Sequence, residues 1–223
     1  MYKPRLVIAG DSTALPREEL SYEETYEFLL KLKLSDWDIF NYSVRGNTLG
    51  KIDVLKQYYF KYINPNVVVL HIGIVDAYPR PYPQNAIFSF LKNKISIYIF
   101  DIDKFLIKTG LYYKLSDYYN FKVTDIKKFS KGIGDLLGYI KADRVIVVGI
   151  IRAHHQLRKC KTVDREFEIY NSILKSNISD KVHYIDLSEL SEDYVLPDGY
   201  HLNAKGHQYL FDVIQLLLTG NKF

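Results

Sequence analysis

Residues that together can cleave an ester occur at two places far apart in the chain. Ser12 ends the tripeptide Gly10-Asp11-Ser12, and Asp198 and His201 are three residues apart in Asp198-Gly-Tyr-His201. A serine hydroxyl becomes nucleophilic when a neighbouring base takes its proton, and a histidine base needs a carboxylate on its other ring nitrogen to fix its tautomer. We therefore predict that Ser12 is a nucleophile, His201 its base and Asp198 the orienting carboxylate.

The surrounding pattern predicts the elements that must position these residues. Apolar runs predict strands at residues 5–10, 38–44, 67–72, 144–150 and 182–187. Helical spacing predicts helices at about residues 21–34, 48–63, 124–140, 164–176 and 203–218. Strands that alternate with helices indicate an α/β fold with a mostly parallel sheet and helices on both faces.

The predicted topology brings four distant segments to one edge of the sheet. Ligands of such sheets lie beyond the carboxyl ends of the strands. Ser12 follows the first strand, Gly46 the second, Gly73-Ile-Val-Asp76 the third, and Asp198-Gly-Tyr-His201 the fifth. Each segment alone is equally typical of a turn or a helix cap, and their order along the chain is what favours chemistry.

These four segments resemble the sequence blocks of the SGNH (GDSL-type) hydrolases. The resemblance spans the chain except for an aromatic segment at about residues 78–121. It implies a flavodoxin-like three-layer sandwich with a five-stranded parallel sheet of order 2-1-3-4-5, and the hydrolysis of acyl esters. It also implies an oxyanion hole formed by the backbone N–H groups of Ser12 and Gly46 and by an Asn side chain in the third block.

The third block departs from that family pattern. Val75 occupies the position of the Asn, and its side chain cannot donate a hydrogen bond. Asn47 and Arg80 are the main candidates for a replacement donor, with Arg45 a further one. Asp76 resembles the family's structural Asp that braces the loops, although a plain turn residue is an equal alternative.

Basic residues near the predicted edge raise the hypothesis of an anionic substrate. Arg45, Arg80, Arg152 and His154 are the candidate rim residues, and a cationic rim attracts anions. The alternative, a solvated basic loop, is the more common case. No metal site is expected, because His154 and the adjacent His155 have no further partners at ligand spacing.

The aromatic segment is the least regular part of the pattern. It opens with three prolines and is then rich in Phe, Tyr and Ile. We expect a single domain over residues 1–223 in which this segment is an insertion or an enlarged crossover. Residues 84–121 are predicted to form a lid or a contact surface through which copies of the chain associate, with ordinary core helices as the alternative.

Composition excludes several other classes of protein. A net charge of +4 with scattered lysines over 223 residues is typical of a solvated surface, so no nucleic-acid partner is expected. Cys160 is the one cysteine, so an intrachain disulfide is impossible. Neither a signal peptide nor an apolar run of about 18 residues is visible, which predicts a cytoplasmic protein without a transmembrane segment.

The sequence thus favours a serine esterase that needs no cofactor. The favoured substrate is a small or carbohydrate ester from which the enzyme removes an acyl group, with acetyl preferred. An O-acyltransferase with the same residues is one alternative. A carbohydrate-binding or assembly protein with a degenerate site is another, and Val75 is the feature that favours it.

Overall fold

The five predicted strands are confirmed in the computed structural model, which describes residues 2–83 and 102–219. They form one all-parallel sheet in the order β2-β1-β3-β4-β5. The predicted flavodoxin-like α/β fold is therefore confirmed. The strands are β1 (Arg5–Gly10), β2 (Asp38–Asn41), β3 (Val67–His71), β4 (Arg144–Val148) and β5 (Val182–Ile185).

Helices connect these strands and close the chain. The α-helices of the described residues are α1 (Tyr26–Lys33), α2 (Leu49–Lys56), α3 (Ile74–Ala77), α4 (Ile102–Lys108), α5 (Leu111–Tyr119), α6 (Ile126–Tyr139), α7 (Val163–Lys175) and α8 (Ala204–Thr219). Asn203 caps α8, since its Oδ1 accepts from the N–H of Gly206 at 3.1 Å.

Two hydrophobic cores lie on opposite faces of the sheet. Val7 and Ala9 of β1 belong to the core that α2, α6 and α7 cover, whereas Leu6 and Ile8 belong to the core that α1 and α8 cover. Successive strand residues point to opposite faces, so a strand buried on both must be apolar throughout. The run Val67–His71 is buried at every position, which places β3 at the centre of the sheet.

Several elements end earlier than the sequence pattern predicts. Strand β2 ends at Asn41, although Tyr42 and Val44 still donate their N–H groups to the carbonyls of Ile8 and Gly10 at 2.8 and 3.1 Å. The helix predicted over residues 48–63 is α-helical only as far as Lys56 and continues as a π-type turn over Gln57–Tyr62.

The aromatic segment contains helices α4 and α5 in its described part. Tyr113 of α5 packs against the core on the α2 side of the sheet. Residues 84–101, on which part of the lid or contact-surface hypothesis rests, lie outside the described residues. Self-association and the single-domain boundaries stay predictions. Within residues 2–83 and 102–219, no helix is long and apolar enough to cross a membrane.

Two glycines in helix α6 should respond differently to alanine. We expect Gly134→Ala to raise the free energy of unfolding by roughly 0.5–1 kcal/mol, because alanine is the better helix former and the nearest atom to its Cβ would be 4.0 Å away. A Cβ at Gly132 would lie 3.0 Å from Leu49 Cδ2. Gly132→Ala should therefore gain less or destabilise. Urea unfolding measures both, and equal gains would contradict the close packing of α2 on α6.

Candidate active site

Ser12, His201 and Asp198 form a continuous hydrogen-bonded chain at the carboxyl edge of the sheet. Ser12 Oγ lies 2.9 Å from His201 Nε2, and His201 Nδ1 lies 2.6 Å from Asp198 Oδ2. His201 is buried and Asp198 is about one-third exposed at its side chain. The two ring nitrogens of His201 thus contact the hydroxyl on one side and the carboxylate on the other, which is the arrangement needed to deprotonate a serine.

The second oxygen of Asp198 fixes the carboxylate within its own loop. Asp198 Oδ1 accepts from the backbone N–H groups of Tyr200 and His201 at 3.2 and 3.1 Å. Burial raises the pKa of Asp198, but the hydrogen bonds from His201 outweigh it and hold that pKa below the usual range. Asp198 is therefore an anion at neutral pH, as the partner of an imidazolium must be.

The loop that carries these residues is fixed by contacts with its neighbours. Gly199 has a φ of 89°, and its carbonyl accepts from the N–H of His154 at 3.0 Å. A Cβ on Gly199 would lie 2.0 Å from the His154 carbonyl oxygen. Both the left-handed backbone and this close approach require glycine. Gly199 is therefore needed for the conformation of the loop that holds Asp198 and His201.

Tyr200 was not identified from the sequence, although it lies inside that motif. Its ring packs on the imidazole of His201 with the ring centroids 4.1 Å apart. Its phenol is partly buried, and burial raises the pKa of Tyr200. The only available signal was its position directly before His201.

Ser12 begins a short 3₁₀ turn that directly follows β1. The turn Ser12–Ala14 is capped by Asp11, whose Oδ1 accepts from the N–H of Thr13 at 2.9 Å and from the Thr13 hydroxyl at 2.7 Å. The backbone N–H groups of Ser12 and of Gly46 donate to no acceptor in the described parts of the chain. Both residues line the same pocket, so both N–H groups are free to bind a ligand oxygen.

Asn47, a predicted candidate for the third oxyanion donor, is committed elsewhere. Its Nδ2 donates to the carbonyl of Gly10 at 3.0 Å, and its Oδ1 accepts from the N–H of Thr48 at 3.1 Å. The side chain is buried and does not line the pocket. Asn47 therefore ties the Gly46 loop to the end of β1 and is a bracing residue.

Asp76 braces the same region from the other side. One of its carboxylate oxygens accepts from the N–H of Leu49 at 3.1 Å, at the start of α2, and the other accepts from the Thr124 hydroxyl. Burial raises the pKa of Asp76 to about 6. Asp76 thus links the loop after β3 to the segments that precede α2 and α6.

Ser12 opens into a pocket of about 380 Å³, within the range of small-molecule sites. Val75 lies in its wall, together with Gly46 and the aliphatic side chains of Ile74, Ile107 and Leu157. The remaining lining residues are Arg80 and four tyrosines, namely Tyr78, Tyr112, Tyr113 and Tyr200. The sequence predicts a lid or a contact surface over residues 84–121, with core helices as the alternative; Tyr112 and Tyr113 come from this segment, but the pattern does not give the direction of their side chains.

Of the four predicted rim residues, only Arg80 lies in this pocket. His154 is 3% exposed, and its Nε2 lies 3.0 Å from the carbonyl of Leu190. Arg152 is exposed, lies 3.7 Å from Asp164, and lines a separate groove with His154. Arg45 is exposed outside the pocket lining. The rim placement of Arg152 and His154 therefore needs correction: the loop after β4 turns His154 inward beneath Gly199.

Metal ligands were not expected at this edge. Within the parts of the chain that the structure describes, no group of three or more His, Cys, Asp or Glu side chains is arranged to hold a metal ion.

Comparisons with known proteins find similar structures but no similar family model or curated sequence. A lipase/acylhydrolase from Enterococcus faecalis is 14% identical with a TM-score of 0.62, over 97% of this chain and 96% of that one. A GDSL-like lipase from Bacteroides thetaiotaomicron is 12% identical with a TM-score of 0.60, over 97% and 88% of the two chains.

This chain has the SGNH-hydrolase fold. A third structure with this fold, a variant of an acetyl xylan esterase from Geobacillus stearothermophilus, is 16% identical with a TM-score of 0.58 and aligns over 100% of this chain and 99% of that one. The three neighbours are a lipase/acylhydrolase, a GDSL-like lipase and an acetyl xylan esterase. The SGNH-hydrolase fold therefore leaves the substrate to be argued from the pocket.

Below the Ser12 turn, this SGNH-hydrolase fold buries a carboxyl group. Asp11 is fully buried, and its Oδ2 has no hydrogen-bond partner among the described residues. It lines a small cavity together with His71 and Tyr200. Desolvation by burial raises the pKa of Asp11 to about 7, so this carboxyl group is neutral at mildly acidic pH.

Asp11 should therefore make the free energy of unfolding fall as the pH rises, which is the opposite of the usual effect of a carboxylate that is paired in the folded protein. Between pH 4 and 7 the unfolded chain has lost this proton while the folded protein keeps it, so rising pH removes stability. The free energy of unfolding lost over this pH range is on the order of 4 kcal/mol for a pKa raised from 3.8 to about 7. Asp11→Asn keeps the Oδ1 acceptor and removes the titration.

We expect Asp11→Asn to gain stability relative to the wild type as pH rises from about 4 to 7, with no further gain above. Urea unfolding across pH 4.5–8 measures the difference, and Asp36→Asn, at an exposed aspartate, is the control. A difference that does not change with pH would contradict the buried, neutral state of Asp11.

Proposed function

We propose that this protein is a serine esterase that forms an acyl-enzyme on Ser12. The observation that carries the proposal is the hydrogen-bonded chain from Asp198 through His201 to Ser12, whose hydroxyl faces a pocket of about 380 Å³. A nucleophile, a base and an orienting carboxylate at hydrogen-bond distances are the requirements for acyl transfer.

Each step of the reaction uses groups of this chain. Ser12 Oγ attacks the ester carbonyl carbon while its proton moves to His201 Nε2, and Asp198 stabilises the imidazolium through Nδ1. Collapse of the tetrahedral intermediate expels the alcohol, which takes the proton from His201. Water then attacks the acyl-Ser12 ester with His201 as base, and release of the carboxylic acid restores the serine.

The developing oxyanion would be held by backbone groups. The N–H groups of Ser12 and Gly46 have no acceptor in the described residues and line the same pocket. Because the Asn47 amide is bound to Gly10, it does not replace the family's Asn. Donors held at the site where charge develops stabilise the transition state most strongly when water is excluded.

The substrate that fits best is a small ester of a hydroxylated molecule, such as an acetylated carbohydrate. Tyrosines Tyr78, Tyr112, Tyr113 and Tyr200 line the pocket, and their amphipathic side chains offer ring faces and hydroxyl groups to a sugar. One structural neighbour is an acetyl xylan esterase. An acyltransferase would use the same acyl-enzyme and differ only in the acceptor.

The hypothesis of a degenerate site has less support. A protein that only binds carbohydrate has no use for a buried His201 between Ser12 and Asp198, or for a carboxylate held ionised beside it. Val75 alone therefore does not argue for lost chemistry.

The direct test is labelling by a fluorophosphonate and turnover of an aryl acetate. We expect the probe to modify Ser12, and Ser12→Ala to abolish labelling and lower kcat roughly 10⁴-fold or more. Ser35→Ala, at an exposed serine, should change neither. Absence of labelling at Ser12 in folded wild-type protein would reject the proposal. Product analysis with and without an acceptor sugar distinguishes hydrolysis from transfer.

An amide side chain at position 75 should reveal how much the valine lowers kcat. Val75 lines the pocket with Ser12 and Gly46, so Val75→Asn places a hydrogen-bond donor in the wall of the same pocket. We expect kcat on a small aryl ester to rise by up to about 10²-fold with a smaller change in KM, because the donor acts mainly on the transition state. Val75→Leu, which adds bulk without a donor, is the control. A similar change in both variants would mean that volume, and not the donor, is what matters.

A further inference from the structure

Among the described residues that line the pocket of Ser12, Arg80 is the one with a charged side chain. The other lining side chains are tyrosines, aliphatic residues and Ser12 itself, all uncharged. A cation in a mostly apolar wall is costly unless something pairs with it. Arg80 is therefore expected to have an anionic partner.

Within the described parts of the chain, the Arg80 guanidinium lacks a carboxylate partner. Its Nε is buried without any hydrogen-bond acceptor. Its Nη2 lies 3.5 Å from the carbonyl oxygen of Val75, at the limit of a hydrogen bond. Burial raises the pKa of nearby Asp76, and the charge of Arg80 offsets only part of that rise; the two Asp76 oxygens already accept from Leu49 and Thr124.

Arg80 is also held in place. Its backbone pairs with Phe121 in both directions, with N–H to carbonyl distances of 2.8 and 3.2 Å. This bridge fixes the segment after α3 to the segment that precedes α6. Arg80 thus lines the pocket from a fixed backbone position, unlike Arg152, which is exposed beside Asp164.

We propose that this pocket recognises esters that carry a carboxylate, and that Arg80 is the residue that sets this specificity. The inference rests on the proposed esterase function and narrows its substrate class. A guanidinium presents a planar fork of donors that matches a carboxylate, and the surrounding tyrosines and aliphatic side chains suit the uncharged remainder. The carboxylate belongs either to the acyl part or to the alcohol part of the ester.

A different use of Arg80 predicts a different kinetic pattern. If the guanidinium bound the oxyanion in place of the family's Asn, its loss would slow neutral and anionic esters equally. If it binds a substrate carboxylate, its loss affects the anionic ester far more.

The experiment compares matched esters on wild type, Arg80→Gln and Arg152→Gln. The acyl pair is 4-nitrophenyl hexanoate and mono-4-nitrophenyl adipate. The alcohol pair is phenyl acetate and 4-carboxyphenyl acetate. In one pair, we expect Arg80→Gln to lower kcat/KM for the anionic ester about tenfold to hundredfold more than for its neutral partner, the range of a charge-assisted hydrogen bond. Arg152→Gln, which removes one surface charge, should leave that ratio unchanged.

Equal losses on both members of both pairs would overturn the proposal. Arg80→Lys keeps the charge without the fork and should retain part of the preference, which keeps the test valid if Arg80→Gln does not fold. Wild-type protein without any preference for either anionic ester would also overturn it.

Binding to an inactive variant separates this inference from the proposed function. Calorimetry of adipate and benzoate with Ser12→Ala, and with Ser12→Ala combined with Arg80→Gln, needs no turnover. Arg80-dependent binding in a protein that hydrolyses no ester would retain the carboxylate site and reject the esterase. Turnover of neutral esters with no Arg80-dependent binding would do the reverse.

Discussion

The contact between Ser12 Oγ and His201 Nε2 joins residues 189 positions apart, and the rest of the structure makes it possible. Ser12 is fixed by β1, which lies between β2 and β3 in the sheet. His201 is fixed by the loop that precedes α8, and Gly199 packs that loop against the His154 backbone. All five strands run parallel, so the loop that carries Ser12 and the loop that carries His201 meet at one edge of the sheet. Only these two short loops must then be held in place.

Much of this arrangement could be predicted from the sequence, because it depends on backbone order. The strands read as apolar runs, and a parallel sheet places whatever follows them at one edge. What the sequence could not supply is side-chain direction. His154 and Arg152 both follow β4 at the edge of the sheet that carries the site. The His154 side chain turns inward to Leu190, whereas that of Arg152 turns outward to Asp164. Asn47 likewise points at Gly10, because its amide satisfies a backbone carbonyl.

The buried ionisable groups beneath the site have opposite effects. Burial raises the pKa of Asp11 and Asp76 to about 7 and about 6, and lowers those of His71 and His207 to about 3 and about 4. As pH falls from 6.5 towards 4, the two carboxyl groups add stability while the two histidines remove it. Between about pH 4 and 6 all four groups are neutral in the folded protein, so the region under Ser12 carries little charge in that range.

Most of the residues that line the pocket come from a different part of the chain than the residues that would carry the reaction. Ser12 and His201 lie on the loops after β1 and before α8, whereas Arg80, Tyr112 and Tyr113 belong to the single long connection between β3 and β4. Within that connection, Asp76 accepts from the N–H of Leu49 and braces the start of α2. Evolution can therefore rebuild the part of the connection beyond Asp76 for a new ester, and a protein engineer can graft another in its place, while the hydrogen bonds from Ser12 to Asp198 come from other segments of the chain.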